Sequence, residues 1–556
     1  MSVGSFLDEF HRVSQAPGAT NALRPAIVAL ALRGKLTTRG CGPPVDPTPG
    51  MEELLQGRPR YRRDQRAAAV PTEAGMLPGW RSCRLGDTGL YINGLAFKPE
   101  DWGKQGRPII RIQNLSGVSA TLNYTERSVD TDNVVSRGDL LVSWSATLDT
   151  FIWDGPEGVL NQHIFKVIPN RCAVAAGFLY WLLKHEVKVL ADSQHAHGLA
   201  MMHINRGPFL GHTVSLPPLE EQARIVAKID DMMTLCDKLE VAQAEREQKR
   251  GRLRLLSFTR LTASVSNGVD RGKVQEAARF YLNHSDRMLT RAGHVAQLRQ
   301  TIIDLAVLGR LVPQERSDQP AARLVDAILK RRRTRESDGA ISYRESKRIL
   351  YQVPISWEWV SLSTACRFVT DGDHQPPPKA DSGIPFLVIG NVRSGRVDLR
   401  DCRHVPEEYY AQLDDAHRPR AGDVLYTLVG SYGVPVPVMR EEAFCVQRHI
   451  GILRPEPEVL QRYAVIALKS TFSLTQASEC ATGIAQKTVP LSGLRRLAIP
   501  LPPLAEQRRI CVKVGDLLGV CDQLEASLSA AEMGRAKLAE AVLRAALGDD
   551  WPVDRS

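Results

Sequence analysis

The stretch DGDHQPPPK (Asp371–Lys379) sets two carboxylates beside a histidine, a composition that can hold a metal ion. Its proline run and the lack of a matching second cluster mark it as a loop instead. Phosphate chemistry finds no cradle either. A Walker A loop needs G-x-x-x-x-G-K-[ST], so that backbone amides hold the phosphates and the hydroxyl reaches Mg²⁺. The Gly-Lys pairs at Gly34, Gly103 and Gly272 are followed by Leu, Gln and Val. No G-x-G-x-x-G follows a strand-like run, and there is no Asn-Pro-Pro-aromatic, Asp-Pro-Pro-aromatic, H-E-x-x-H or G-x-S-x-G motif. Ten cysteines are scattered without a C-x-x-C pair, which argues against a zinc site or a disulfide framework and fits a reducing compartment. Cys236 and Cys521 fall in helical patterns and are expected as small core residues. The chain thus reads as lacking a catalytic, cofactor or metal centre.

Composition sets broader bounds. The 556 residues carry 72 Lys+Arg against 62 Asp+Glu, a net charge of +10, with 43% hydrophobic and 24% charged residues. This is ordinary globular composition, long enough for about three to five domains. The basic excess suggests an acidic partner, nucleic acid first. The longest apolar run, Ala173–Leu183, is shorter than the ~20 residues a membrane-spanning helix needs. Asp8 and Glu9 stand where a signal peptide would carry Lys or Arg, so a cytoplasmic location is expected.

Self-comparison decides the architecture. LPPLEEQARIVAKIDDMMTLCDKLE begins at Leu216 and LPPLAEQRRICVKVGDLLGVCDQLE at Leu501, with 14 of 25 positions identical at an offset of 285. Gln162 matches Gln447 at this offset. At an offset of 277, Trp80 matches Trp357, Pro108 matches Pro385 and Asn114 matches Asn391. A third block, Leu23–Leu36, matches Leu298–Leu311 at an offset of 275. Basic tails follow both copies, Arg58–Arg66 in one and Lys330–Arg335 in the other. These tails read as solvated surface or as a grip on phosphate or an acidic partner.

The blocks differ in local structure. After each LPPL, apolar residues recur at three- and four-residue steps: Ile225, Ile229, Met232, Met233, Cys236 and Leu239, then Ile510, Val514, Leu517, Leu518, Cys521 and Leu524. The first pattern predicts one helix from about Leu219 to Leu261, roughly 60 Å long at 1.5 Å per residue. Two such stripes predict an antiparallel coiled coil. The intervening blocks hold short strand-like runs such as RPIIRIQNL, IPFLVIGNV, GDLLVSW and GDVLYTL, followed by helical patterns. The expected fold class is α+β: two α+β domains joined by long antiparallel coiled-coil helices, with a pseudo-twofold internal repeat. The expected domains are an N-terminal helical block (1–76) that pairs with the C-terminal helix, a first α+β domain (77–215), a central helical region (216–352), a second α+β domain (353–500) and a C-terminal helix (501–556). Trp80 and Trp357, at the starts of the two α+β domains, are expected in the core.

The doubled LPPL-x-EQ-x-RI with its downstream C-D-x-L-E, the two tryptophans, the GD-x-L turns, NQHIFKV (Asn161–Val167) and the LRGKL/LGRL helix blocks resemble the specificity subunits of type I DNA restriction–modification systems. The resemblance covers nearly the whole chain, which departs from the simplest family layout in its long segment before the first recognition domain. It implies a non-catalytic protein whose two recognition domains each read half of a bipartite, asymmetric site in double-stranded DNA. The helices would act as a ruler and bind two modification (methyltransferase) subunits. S-adenosylmethionine would be carried by the modification partner, and ATP and Mg²⁺ by restriction (endonuclease/translocase) subunits, with no cofactor in this chain. Competing readings are a coiled-coil adaptor without DNA readout and a single-chain methyltransferase or nuclease.

Base edges are read by Arg or Lys on guanine and by Asn or Gln on adenine, whereas phosphates are held by cations, hydroxyls and amides. The candidate DNA-binding residues in the first domain are Lys104, Gln113, Asn114, Ser143, Ser145, Gln162, His163 and His203. In the second they are His374, Gln375, Lys379, Asn391, Ser431, Gln447, Arg448 and Lys487. Gln162/Gln447 and Asn114/Asn391 recur at matched positions, which suits phosphate or structural contacts as well as base contacts. His163 against Arg448, and His203 against Thr488, differ between copies and are stronger candidates for specificity.

Overall fold

The computed structural model describes residues 18–37, 42–62, 76–191, 196–197, 203–262, 271–336, 351–374, 377–483 and 486–547. Helix and sheet are mixed, and two helices of 44 residues each stand out, Leu219–Thr262 and Leu504–Leu547. No helix among the described residues is long and apolar enough to cross a membrane. The chain divides into two compact units, residues 1–245 with 532–556, and residues 246–531.

In the first unit, strand β1 (Arg81–Arg84) pairs antiparallel with the much later Thr213–Leu216, so the two ends of the recognition block are tied side by side. Between them lie two four-stranded sheets. One holds β2 (Gly89–Asn93), β6 (Leu140–Ser143), β7 (Asp149–Ile152) and β9 (Ile164–Pro169), in the order β2-β9-β6-β7. The other holds β3 (Arg107–Ile110), β4 (Asn123–Thr125), β5 (Val134–Val135) and β8 (Gly158–Leu160), in the order β4-β3-β8-β5. The chain steps from one sheet to the other in the three residues between β8 and β9. A single apolar core joins the helix Ala19–Leu32 (Leu23, Ile27, Leu30), the start of the first long helix (Ile225, Ile229, Cys236) and the end of the second (Val542, Leu543, Leu547). Trp80 is buried in the same core.

The second unit repeats the plan. Glu358–Ser361 pairs antiparallel with Ala498–Leu501. One sheet has four strands, Cys366–Asp371, Ile450–Pro455, Val424–Thr427 and Pro435–Pro437 in spatial order. The other has three, Arg403–Val405, Ile384–Leu387 and Cys445–Val446. The core again joins a short helix, Val295–Val307 (Ile302, Ala306), to the start of a long one (Ile510, Val514, Cys521), with Trp357 buried beside them. Phe258 and Leu261, at the end of the first long helix, pack with Ala277 and Tyr281, and Leu524 lies against that cluster. Each unit therefore contains the start of one long helix and the end of the other.

The repeated motifs have physical reasons. In LPPL-x-EQ the glutamine is fully buried and saturated. Gln222 Nε2 donates to Ala173 O and Pro217 O at 2.9 Å each, and its Oε1 accepts from Ala175 N at 2.8 Å. Gln507 repeats this with Glu458 O and Pro502 O at 3.0 Å and Leu460 N at 2.9 Å. In C-D-x-L-E the cysteine is buried and the two acids pair with the arginine of the short helix. Arg24 lies 2.6 Å from Asp237 and 3.2 Å from Glu240, and Arg299 lies 2.6 Å from Asp522 and 2.8 Å from Glu525. Gly34 and Gly309 end the short helices at φ 64° and 67°, where a Cβ would sit 2.8 Å from Leu77 or 2.4 Å from Pro354, so glycine is needed twice over. The following cations reach the far helix ends: Lys35 donates to Ala546 O at 2.9 Å and Arg310 to Leu261 O at 2.8 Å. Arg33 also donates to Leu547 O.

Candidate nucleic-acid interface

The turn between the two sheets of each recognition block gathers several candidates. In the first unit it is Asn161–His163. Asn161 N donates to Ile110 O at 3.0 Å, Trp144 N to His163 O at 3.1 Å and Gly94 N to Ile164 O at 2.9 Å. In the second unit Gln447 N donates to Leu387 O at 2.9 Å, Leu428 N to His449 O at 2.9 Å and Gly372 N to Ile450 O at 3.2 Å. Three matching bonds fix the register: Asn161 corresponds to Gln447, Gln162 to Arg448 and His163 to His449. This corrects the pairing expected from the offset of 285, which set Gln162 against Gln447 and His163 against Arg448. A gapless match cannot see that the ladder here runs at 286. His203 does correspond to Thr488, since each bridges the same place, Ser145 in one unit and Val429 in the other.

Gly94 and Gly372 pack against these turns so closely that a Cβ would lie 2.0 Å from Asn161 O or 1.9 Å from Val446 O. The middle residue of each turn, Gln162 or Arg448, is exposed, and its neighbours are half-buried. His163 takes a left-handed φ of 73° and lies edge-on to Trp144, with ring centroids 4.7 Å apart. Burial and the nearby His203 lower its pKa from the usual histidine value, and burial followed by Arg448 does the same to His449. Both imidazoles are therefore favoured as neutral near pH 7.

The other candidates fall into distinct environments. Asn114 Oδ1 accepts from Arg111 N at 3.0 Å, and its Nδ2 donates to Ser119 O at 3.1 Å and Thr121 O at 2.9 Å. Asn391 Oδ1 likewise accepts from Val388 N at 3.0 Å, with Nδ2 on Cys402 Sγ at 3.3 Å. Both amides are spent on their own loops. Ser143 is fully buried, and its hydroxyl closes the loop onto Thr147 O. Ser431 supplies the equivalent carbonyl, accepting from Thr427 Oγ1 at 2.8 Å. Ser145 is buried beside His203. Lys104 is exposed before β3, and Gln113 is half-buried after it. Lys487 is exposed, with its carbonyl accepting from Gly430 N at 3.0 Å. Gln375 lies outside the described residues, as do Arg63–Arg66 of the first basic tail.

Four of the second-domain candidates, His374, Lys379, Gln447 and Arg448, line one cleft of about 320 Å³. Arg403 and His404 share it, and sequence reasoning missed both. They reach the cleft because Arg403 pairs with Phe386 and His404 with Pro385 across adjacent strands, a register no local pattern announces. Asp373, also in the lining, accepts from Tyr409 Oη at 2.5 Å, and His374 pairs with Asp371 at 3.2 Å. Among the described residues no three His, Cys, Asp or Glu side chains gather as a metal-binding group. Three arginines of the described parts of the basic tails pair within their own units: Arg58 and Arg60 with Asp132 at 3.2 and 3.0 Å, and Arg331 with Glu456 and Glu458 at 3.1 and 2.5 Å.

Two α+β blocks of one plan, each in a unit with parts of both long helices, define a duplicated α+β architecture. Residues 78–246 match the type I restriction modification DNA specificity domain. The chain is 24% identical to the type I restriction enzyme EcoAI specificity subunit of Escherichia coli, over 64% of this chain and 62% of that one. It is 25% identical to the EcoEI specificity subunit of the same species, over 70% and 67%. The match thus spans about three fifths of the length of the first of these relatives. A chain in a solved type I R-M system assembly aligns with 87% of this chain and 100% of its own length, at 19% identity and a TM-score of 0.47. The resemblance to type I specificity subunits drawn from the repeat and its motifs is borne out.

Proposed function

We propose that this chain is the non-catalytic DNA-specificity subunit of a type I restriction–modification complex. Each recognition block reads one half of a bipartite, asymmetric duplex site, and the helices hold two modification subunits. The observation that carries this reading is the duplicated block: one backbone plan, built twice, with different side chains at corresponding exposed positions. A true dimer would present the same side chains twice and read a palindrome, whereas diverged copies suit a split, non-palindromic site. S-adenosylmethionine belongs to the modification partner, and ATP with Mg²⁺ to a restriction partner.

Sequencing the methylated bases of host DNA with and without this chain tests the proposal. The expected result is one split motif whose methylation disappears with the chain. Methylation by the purified chain alone with S-adenosylmethionine would overturn the non-catalytic reading. Failure to bind any duplex with partners present would favour an adaptor without DNA readout.

A further inference from the structure

The corrected register sets two chemically different side chains at one backbone position. Gln162 and Arg448 each stand in the middle of the turn that joins the two sheets, and each is the exposed residue of its turn. The flanking position carries histidine in both copies, half-buried and handing its carbonyl to the neighbouring strand, although only His163 takes a left-handed φ. The backbone beneath is held by the close approach of Gly94 and Gly372.

The two side chains are also available. The Gln162 amide makes no side-chain hydrogen bond to any described residue. Arg448 makes one, from Nε to His449 Nε2 at 3.4 Å, which orients the fork and leaves both terminal nitrogens open. The lowered pKa of His449 suits an imidazole that accepts this bond. Lys379 and Arg403 stand in the same cleft as Arg448 and add positive charge there. In the major groove a glutamine amide matches the adenine N6/N7 pair, and a guanidinium fork matches guanine O6/N7.

We propose that Gln162 and Arg448 are specificity-determining residues that read different bases at corresponding steps of the two half-sites, adenine by Gln162 and guanine by Arg448. The assignment rests on the specificity-subunit reading above.

The test uses the full-length chain assembled with its modification partners. The methylated motif is determined for the wild type, Gln162→Arg, Arg448→Gln, Arg448→Ala and Arg448→Lys, with duplex binding and thermal melting measured in parallel. Both positions are exposed, so melting should be unchanged. Gln162→Arg should change one A·T pair to G·C in one half-site, leaving the other half and the gap as they were. Binding to the original site should fall about ten- to hundredfold, the discrimination expected of a bidentate contact. Arg448→Gln should make the reverse change in the other half. Arg448→Ala should leave that position degenerate, and Arg448→Lys, which keeps a donor for guanine, should retain the motif. Unchanged motifs in all four variants, from a wild type that does recognise a split site, would overturn this assignment alone. So would a uniform loss of affinity for every duplex in Arg448→Ala with a shallower salt dependence, the mark of a phosphate contact. A wild-type complex with no split motif would overturn the functional reading and the assignment with it.

Discussion

At the residue scale, buried charge separates the two copies of the GD-x-L turn. Asp139 and Asp423 each accept from the backbone three residues back, Ser136 N at 2.7 Å and Arg420 N at 3.0 Å. Asp423 is in addition buried against Arg454, with contacts of 2.8 and 2.9 Å in a two-pronged pair, while Asp139 pairs with the Lys166 amine at 3.0 Å. Removing one partner of a buried pair leaves the other charge uncompensated. Asp423→Asn should therefore destabilise the second unit by about 3 kcal/mol or more, and Asp139→Asn by clearly less, read from urea midpoints. Arg331 supplies a pH test. Its hydrogen bond holds the Glu458 carboxyl below its ordinary pKa, so the stabilisation is present above about pH 4.5 and is lost as pH falls through the folded value. Arg331→Ala should be less stable than the wild type at pH 7, and the gap should narrow as the solution is acidified below pH 4.5. A gap that widened toward acid would reverse the sign and refute the linkage.

At the element scale, the junction between α+β block and long helix is a single buried glutamine used twice. Truncating Gln507 orphans the half-buried amide of Leu460 and the carbonyls of Glu458 and Pro502. Gln507→Ala is expected to cost about 2–4 kcal/mol, with a similar loss for Gln222→Ala. The exposed arginine–acid clusters of the same helices should matter less, roughly 0.5–1 kcal/mol for Arg24→Ala, with the cost shrinking in high salt. Thermal melts of the two classes of variant should separate them clearly. These elements were partly legible in the sequence: helical periodicity placed the first 44-residue helix within a residue of each end and marked the apolar stripe of the second, whose bounds at Leu504 and Leu547 came only from the fold. The strands were legible as runs but not as partners. Arg403 and His404 gave no local signal, because their place beside Arg448 depends on which strand lies next to which.

At the scale of the whole molecule, sequence distance and spatial order part company. Residues from Ala539 to Leu547 belong to the core of the first unit, although more than 250 residues of the second unit intervene in the chain. Deleting residues 532–556 should therefore lower the melting of the first unit and leave the fold of the second largely intact, a difference that limited proteolysis resolves. Replacing residues 77–215 with another recognition block, under the proposed function, should alter one half of the methylated motif and spare the other. A change in both halves would refute the modular reading.

The duplication, the helical frame, the family resemblance and the recurring motifs could be read from the residue order alone, because these are written in local periodicity and in residues repeated at a constant offset. Which of the candidate residues correspond emerged only from the folded chain. It moved the match at the inter-sheet turn by one residue, set Gln162 against Arg448, and turned Asn114 and Asn391 into their own loops. The physical reason is that strand register is fixed by hydrogen bonds between segments far apart in the chain, and a one-residue slip leaves the local pattern of each segment unchanged while exchanging every partner.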